Sequence, residues 1–289
     1  MARLSERSGL TLDQIREETV EPKAPEERYT AVKESAELER IRHLPRRSLD
    51  HTSLALIEQL TSALKTPSGQ QTLRPIQALT LAELTEARGG FCPIVAGGGK
   101  TAISYLAATM LGARRPLLLV PASLRDKTRK EFRELAKHWD GPHPDAIRIE
   151  SYELLGRPEQ GKQLGADGRV LREEFLVRYN PDLIIMDEAH KVKDPKTSVC
   201  KRLRRFLKNN RVSVVAMSGT MTTRSIKDYA HIAEWCLGKM SPVPQRYTDL
   251  ETWARALDDK VDDRAEPGAL LTFCSPEELE LATTPVLPV

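Results

Sequence analysis

FCPIVAGGGKT, residues 91–101, reads as a short apolar strand that passes through a run of glycines into the start of a helix. Gly97, Gly98 and Gly99 have no side chain, so the backbone there can wrap closely round an anion. The amides of Gly97, Gly98, Gly99, Lys100 and Thr101 then point at phosphate oxygens. In such a phosphate loop (Walker A), Lys100 bridges the β- and γ-phosphates of ATP, and Thr101 offers its hydroxyl to Mg2+. The strict pattern has a glycine where this chain has Ile94. The plainer alternative is a glycine-rich turn before a helix.

Outward from this stretch, apolar strands alternate with helices. LRPIQALTLAELTEARGG, residues 73–90, has Pro75 at a helix start and Gly89–Gly90 after its end, the usual asymmetry of helix termini. Strands are expected at 91–96, 117–122, 147–152, 182–188 and 212–219. A helix is expected from Ser123 to Trp139, with Ser123 and Asp126 as a capping box. Uninterrupted apolar strands separated by helices predict an α/β fold, a mostly parallel sheet with helices on both faces. Ligands of such sheets bind at the carboxyl ends of the strands.

LIIMDEAH, residues 183–190, is an apolar strand that ends in two acids. A carboxylate at that tip, beside a phosphate loop, can hold Mg2+, and Asp187 suits this role. Glu188, one residue on, can take a proton from the water that attacks the γ-phosphate. The two motifs occur in the expected order, each at a strand end.

The chain has 289 residues, 40% of them hydrophobic and 29% charged, which is globular composition and excludes a wholly disordered chain. No window has the uncharged apolar length of a membrane helix. The start, MARLSERSGLTLDQ, lacks the apolar run of a secretory signal, so an intracellular, soluble protein is expected. Cys92, Cys200, Cys236 and Cys274 have no metal-ligand spacing and read as reduced thiols. The net charge of +3 says little, but its distribution is uneven. Residues 191–211 hold nine Lys or Arg and one acid, whereas residues 249–280 hold ten acids and three basic residues. Within the basic run, Val199, Leu203, Phe206 and Leu207 form an apolar helix face. Lys201, Arg202, Arg204, Arg205 and Lys208 lie on the remaining surface, which suits either phosphates or solvent. Three regions are expected: a helical N-terminal extension over 1–70, an ATP-binding domain over 71–240 and an acidic, proline-containing tail over 241–289. In the extension, Leu56, Leu60 and Leu64 recur after a cap at Ser48 or Asp50.

DEAH at 187–190 together with GGGKT at 97–101 resembles helicase superfamily two. LRPIQ at 73–77, VPASL at 120–124, ESYELL at 150–155, DEAHKVKDP at 187–195 and SGT at 218–220 are similar to its Swi/Snf branch. The resemblance covers about residues 71–240. It implies a RecA-like ATP-binding lobe that uses ATP and Mg2+ and has nucleic acid, most often duplex DNA, as its partner. It implies that Gln77 lies in the segment that reads adenine. Lys100 and Thr101 would hold phosphate and metal, and Asp187 and Glu188 would act as the metal-binding and water-activating acids. His190 would relay nucleotide state toward Ser218, Gly219 and Thr220. Pro121, Ala122 and Ser123 match one nucleic-acid segment, and Ser151 and Tyr152 another.

The chain departs from this pattern in two places. Met221 stands where the family has proline after SGT. After Thr220 only 69 residues remain, fewer than the order of 100–150 that a second lobe needs. The expectation is therefore a first lobe completed in trans by a second RecA-like lobe. A lone lobe would bind ATP weakly and hydrolyse it slowly. A module that binds ATP or DNA without turnover is the alternative from a different class. A recombinase or ring-shaped motor is a third, disfavoured by the KVKDP that follows DEAH.

Overall fold

The computed structural model describes residues 31–46, 53–156, 163–164, 170–171, 175–220, 225–258, 261 and 263–275. Ser48, Asp50, Met221 and, in the tail, residues 259, 260, 262 and 276–289 lie outside these residues.

Five parallel strands form the central sheet: β1 (Gly90–Cys92), β2 (Pro116–Val120), β3 (Arg148–Ser151), β4 (Leu183–Asp187) and β5 (Ser213–Met217). Their spatial order is β1-β5-β4-β2-β3. A separate antiparallel pair joins Gln163–Leu164 to Val170–Leu171. The register decides where the site forms. Cys92 and Asp187 both pair with Met217, so β1, β5 and β4 end at the same level. The segments that follow these three strands must therefore meet.

Strand side chains alternate between two buried clusters, as a sheet covered on both sides requires. Leu118, Val120, Leu183, Ile185, Val215 and Met217 face one cluster. It is completed by α2 (Leu54–Leu64), α3 (Pro75–Ala87), α4 (Lys100–Met110) and α5 (Arg125–Leu135). Leu117, Leu119, Ile184, Met186, Val214 and Ala216 face the other. Its covering helices are α6 (Tyr152–Gly156), α7 (Phe175–Tyr179), α8 (Ser198–Asn209) and α9 (Ala230–Leu237). The expected α/β fold, a parallel sheet between two helical layers, is the one that forms. Each fully buried aliphatic side chain contributes about 1.5–3 kcal/mol over its exposed state.

A third cluster joins both ends of the described chain. Val32 and the α1 (Ala36–Arg42) residues Leu38 and Ile41 pack with Trp253 of α10 (Tyr247–Leu257) and with Leu270. Arg40 ties the segments further by donating to the carbonyls of Lys239 at 2.6 Å and Ser241 at 2.7 Å. Residues assigned by composition to an extension and to a tail thus share one small core. In contrast, α2 belongs to the sheet.

Several local expectations are corrected. The strand expected over 91–96 stops at Cys92, because Pro93 has no amide for the ladder. The cap of α2 is Ser53, whose hydroxyl accepts from the Leu56 amide at 3.2 Å. The helix expected over 123–139 begins as a 3-10 turn, Ala122–Leu124, and α5 itself ends at Leu135. No side chain caps it; the Ala122 amide instead donates to Glu153 Oε2 at 3.1 Å. Trp139 still joins the core, with its indole N–H donating to Gln71 at 2.9 Å. After α3 the left-handed residue is Arg88, not a glycine. Gly89 answers a close approach instead: a Cβ there would lie 2.3 Å from the Cys236 carbonyl oxygen. Among the described residues no helix is long and apolar enough to cross a membrane.

Candidate functional site

The loop between β1 and α4 holds Gly97 at φ 80° and Gly99 at φ 86°, both left-handed. Gly99 is the N-cap of α4, and a Cβ there would stand 2.1 Å from the Gln77 amide nitrogen. No other residue type satisfies both conditions. Gln77 locks this turn. Its carbonyl accepts from the Arg74 amide at 2.9 Å, and its NH2 donates to the Gly99 carbonyl at 3.3 Å. Arg74 adds a second tie, with Nη1 donating to the Gly97 carbonyl at 2.5 Å. A side-chain amide has two donors and an oxygen with two lone pairs, so Gln77 keeps one of each for a ligand.

The β4 tip faces this loop. Lys100 Nζ lies 3.5 Å from Glu188 Oε1 and donates to the Ile94 carbonyl at 3.3 Å. Glu188 is in the left-handed region at φ 53°, an uncommon state for a non-glycine residue and one that clusters at functional sites. Its other oxygen, Oε2, is 3.3 Å from His190 Nδ1. Asp187 is fixed from behind by its backbone, whose carbonyl accepts from the Tyr152 hydroxyl at 2.7 Å. One carboxylate oxygen of Asp187 accepts from the Glu188 amide at 3.1 Å. Burial raises the Asp187 pKa above the usual carboxylate value, and neighbouring Glu188 pushes it further, while Lys100 opposes both. Asp187 and Glu188 thus place two half-buried carboxylate residues side by side at the β4 tip.

The segment after β5 completes the cluster. His190 Nδ1 is 3.1 Å from Ser218 Oγ and 3.3 Å from Thr220 Oγ1. Ser218 is fully buried. Gly219 brings its backbone against the phosphate loop, where a Cβ would lie 3.2 Å from the Ala96 amide nitrogen. Burial holds the His190 pKa below the ordinary histidine value, with Glu188 pulling the other way. The neutral ring is favoured.

Gln77, the 97–101 loop, Asp187, Glu188, His190, Ser218, Gly219 and Thr220 are therefore brought together at one edge of the sheet. The residue types suit a magnesium-bound triphosphate, with the loop, the Lys100 ammonium and the Thr101 hydroxyl at the start of α4 and the two acids at the β4 tip, although the Gly98 amide donates to the Val95 carbonyl at 3.1 Å. The expected nucleic-acid residues separate. Ala122 and Ser123 are exposed and Pro121 is half-buried, at the β2 tip. Ser151 and Tyr152 are only 4% exposed. The Ser151 hydroxyl accepts from the Leu154 amide at 3.1 Å, and the Tyr152 hydroxyl is spent on Asp187. As placed, neither side chain reaches a ligand outside the fold.

Sequence reasoning missed three participants. Arg74 holds the loop, Tyr152 supports the Asp187 backbone, and Glu131 on α5 brings Oε2 to 3.5 Å from Thr101 Oγ1. Arg74 was within reach, because it lies one helical turn before Gln77 in LRPIQ. Glu131 gives no signal, since it is one of several charges on a solvated helix.

The sequence profile of the DEAD/DEAH box helicase family matches residues 74–229. No curated protein matches the chain. Among solved structures, the chain is similar to the Sulfolobus solfataricus SWI2/SNF2 ATPase core in complex with dsDNA, with 19% identity and a TM-score of 0.39. That match covers 58% of this chain and 36% of the other, so the chain spans about a third of the length of that ATPase core.

Proposed function

This chain belongs to the DEAD/DEAH box helicase family, and on that premise we propose that it is the ATP-binding lobe of a Swi/Snf-like translocase. The lobe hydrolyses ATP in response to nucleic acid once a second RecA-like lobe closes over it. The observation that carries this reading is the facing of Lys100 and Glu188 across 3.5 Å, at the level where β1, β4 and β5 end. The Swi/Snf assignment is supported by LRPIQ, VPASL, ESYELL, DEAHKVKDP and SGT in that order.

In this reading the phosphate-loop amides and Lys100 bind the β- and γ-phosphates. Thr101 and Asp187 hold Mg2+, which supplies charge neutralisation at the phosphate oxygens. Glu188 orients the attacking water and takes its proton. His190, shared between Glu188 and the Ser218–Thr220 segment, passes the state of the site to the loop after β5. Gln77 reads adenine with the donor and acceptor it has left. Pro121, Ala122 and Ser123 touch the nucleic-acid backbone. Ser151 and Tyr152 take that role only if the β3 end rearranges. The central domain is taken over 71–240 with α2 packed on its sheet, and the segments on either side share the small core of α1 and α10.

A lobe that binds ATP without turnover is the second reading. Single-turnover hydrolysis separates the two. With a second RecA-like lobe supplied and protein in excess over radiolabelled ATP, duplex DNA should raise the rate at least tenfold, and Glu188→Gln should abolish the gain. Tight, Lys100-dependent ATP binding with no hydrolysis above the Glu188→Gln level would favour the second reading.

A further inference from the structure

Helix α8 carries Lys201, Arg202, Arg204, Arg205 and Lys208 and no acid in its twelve residues. Its inner face is fixed: Cys200, Leu203 and Phe206 are buried. The cations are confined to the outer face, where Lys201, Arg204, Arg205 and Lys208 are exposed. Helix α5 offers an internal comparison. There four of the five cations are answered, by Arg125–Glu150 at 3.8 Å, Lys127–Glu131 at 3.7 Å, Arg129–Asp126 at 3.0 Å and Arg133–Asp145 at 3.6 Å. On α8 and just beyond it, no ion pair joins Lys201, Arg204, Lys208 or Arg211 to an acid among the described residues. Like charges three and four residues apart cost about 0.2–0.5 kcal/mol per pair in a helix. Lys201–Arg204 and Arg204–Lys208 stand in that relation.

A cleft of about 580 Å3 extends the patch. Arg204, Lys208 and Lys239 line it with Trp235, and Glu234 is its one acid. Its position separates it from the nucleotide site. Val212, in its wall, immediately precedes the first residue of β5, whereas the phosphate loop lies beyond the carboxyl ends of the strands. The length of a five-residue strand, roughly 16 Å, stands between them.

We infer that the outer face of α8, continued by the Trp235 cleft, is a second contact surface for the phosphodiester backbone of nucleic acid. It lies on the flank of the sheet rather than at the strand tips. This rests on the proposed reading that nucleic acid is the partner, and adds where a further length of it is held. Lys201, Arg204 and Lys208 follow successive turns of α8, about 5.4 Å apart, and Arg211 follows just past the helix end, beyond the extended Asn210, so the four present positive charge to a polyanion.

The test is fluorescence anisotropy of a labelled 30-base-pair duplex against the full chain across a salt series. The variant Lys201→Ala/Arg204→Ala/Lys208→Ala/Arg211→Ala should bind more than tenfold more weakly at low salt. Its log–log salt slope should fall by roughly 3 to 4, four phosphate contacts at about 0.9 each. The control Lys127→Ala/Lys130→Ala/Lys137→Ala should stay within twofold of the parent. Lysine acetylation footprinting of the parent needs no variant to fold: duplex should protect Lys201 and Lys208 but not Lys127 or Lys137. Equal losses in both variants, or no selective protection, would overturn the inference. So would binding of polyglutamate but not duplex, which would mark the surface as one for an acidic protein. ATP binding unaffected by Lys100→Ala would defeat the nucleotide reading while leaving these DNA results standing.

Discussion

Lys100 and Glu188 form a contact of 3.5 Å across the mouth of the candidate site, and the same carboxylate reaches His190 at 3.3 Å. One acid thus links the phosphate loop, the β4 tip and, through His190, the segment after β5. The Lys100 ammonium is held between this carboxylate and the Ile94 carbonyl, 3.3 Å away.

Asp187 gives the first prediction. Its folded pKa is raised by burial and then by Glu188, so the protonated form is the one the fold prefers. That preference stabilises fully below the ordinary value of 3.8 and is lost as the pH rises through the folded value. At pH 7 the ionised Asp187 is therefore a cost. Asp187→Asn should stabilise the ligand-free protein by about 0.5–2 kcal/mol in urea unfolding. It should also remove any Mg2+-dependent gain in stability from ATP.

His190 titrates with the opposite sign. Its folded pKa is depressed, chiefly by burial, below the ordinary 6.5. The neutral ring contributes stability fully above 6.5, and that contribution is lost as the pH falls through the folded value. As the pH falls below 6.5, the melting temperature of the parent should drop more steeply than that of His190→Gln. Parallel curves would show that His190 does not sense the site.

Gly99→Ala places a methyl group against the Gln77 amide at a φ of 86°. Strain of this kind costs about 1–3 kcal/mol. Chemical denaturation should show that loss, together with weakened nucleotide binding. Pairing the change with Gln77→Ala, which removes the clashing amide, should restore part of the stability but not the binding.

Tyr152→Phe removes the hydroxyl that supports the Asp187 carbonyl and should cost about 0.5–1.5 kcal/mol of stability. Duplex DNA binding should change less than twofold, since the side chain is only 4% exposed. A large loss of DNA binding at unchanged stability would restore Tyr152 to the nucleic-acid face.

The sheet was legible because its strands are apolar on both faces. Leu117–Val120 and Ile184–Met186 have no polar side to mislead the reading. The loop and the acids were legible because their chemistry demands particular residue types at strand ends. What the sequence concealed was set by partners distant in the chain. The Ala122 amide turns to Glu153 and leaves Ser123 without a capping role. The Tyr152 hydroxyl finds the carbonyl of Asp187, 35 residues away. The α1–α10 cluster joins segments about 200 residues apart, and no local periodicity announces such a pairing. The short β1 was predictable in principle, because Pro93 forbids the continuation that apolar composition suggested.

Calorimetric titration of the full chain with Mg2+ and ATP tests the central claim most directly. The account predicts measurable binding by the parent and at least tenfold weaker binding, about 1.4 kcal/mol, by Lys100→Ala. Equal affinity for the two proteins would contradict it.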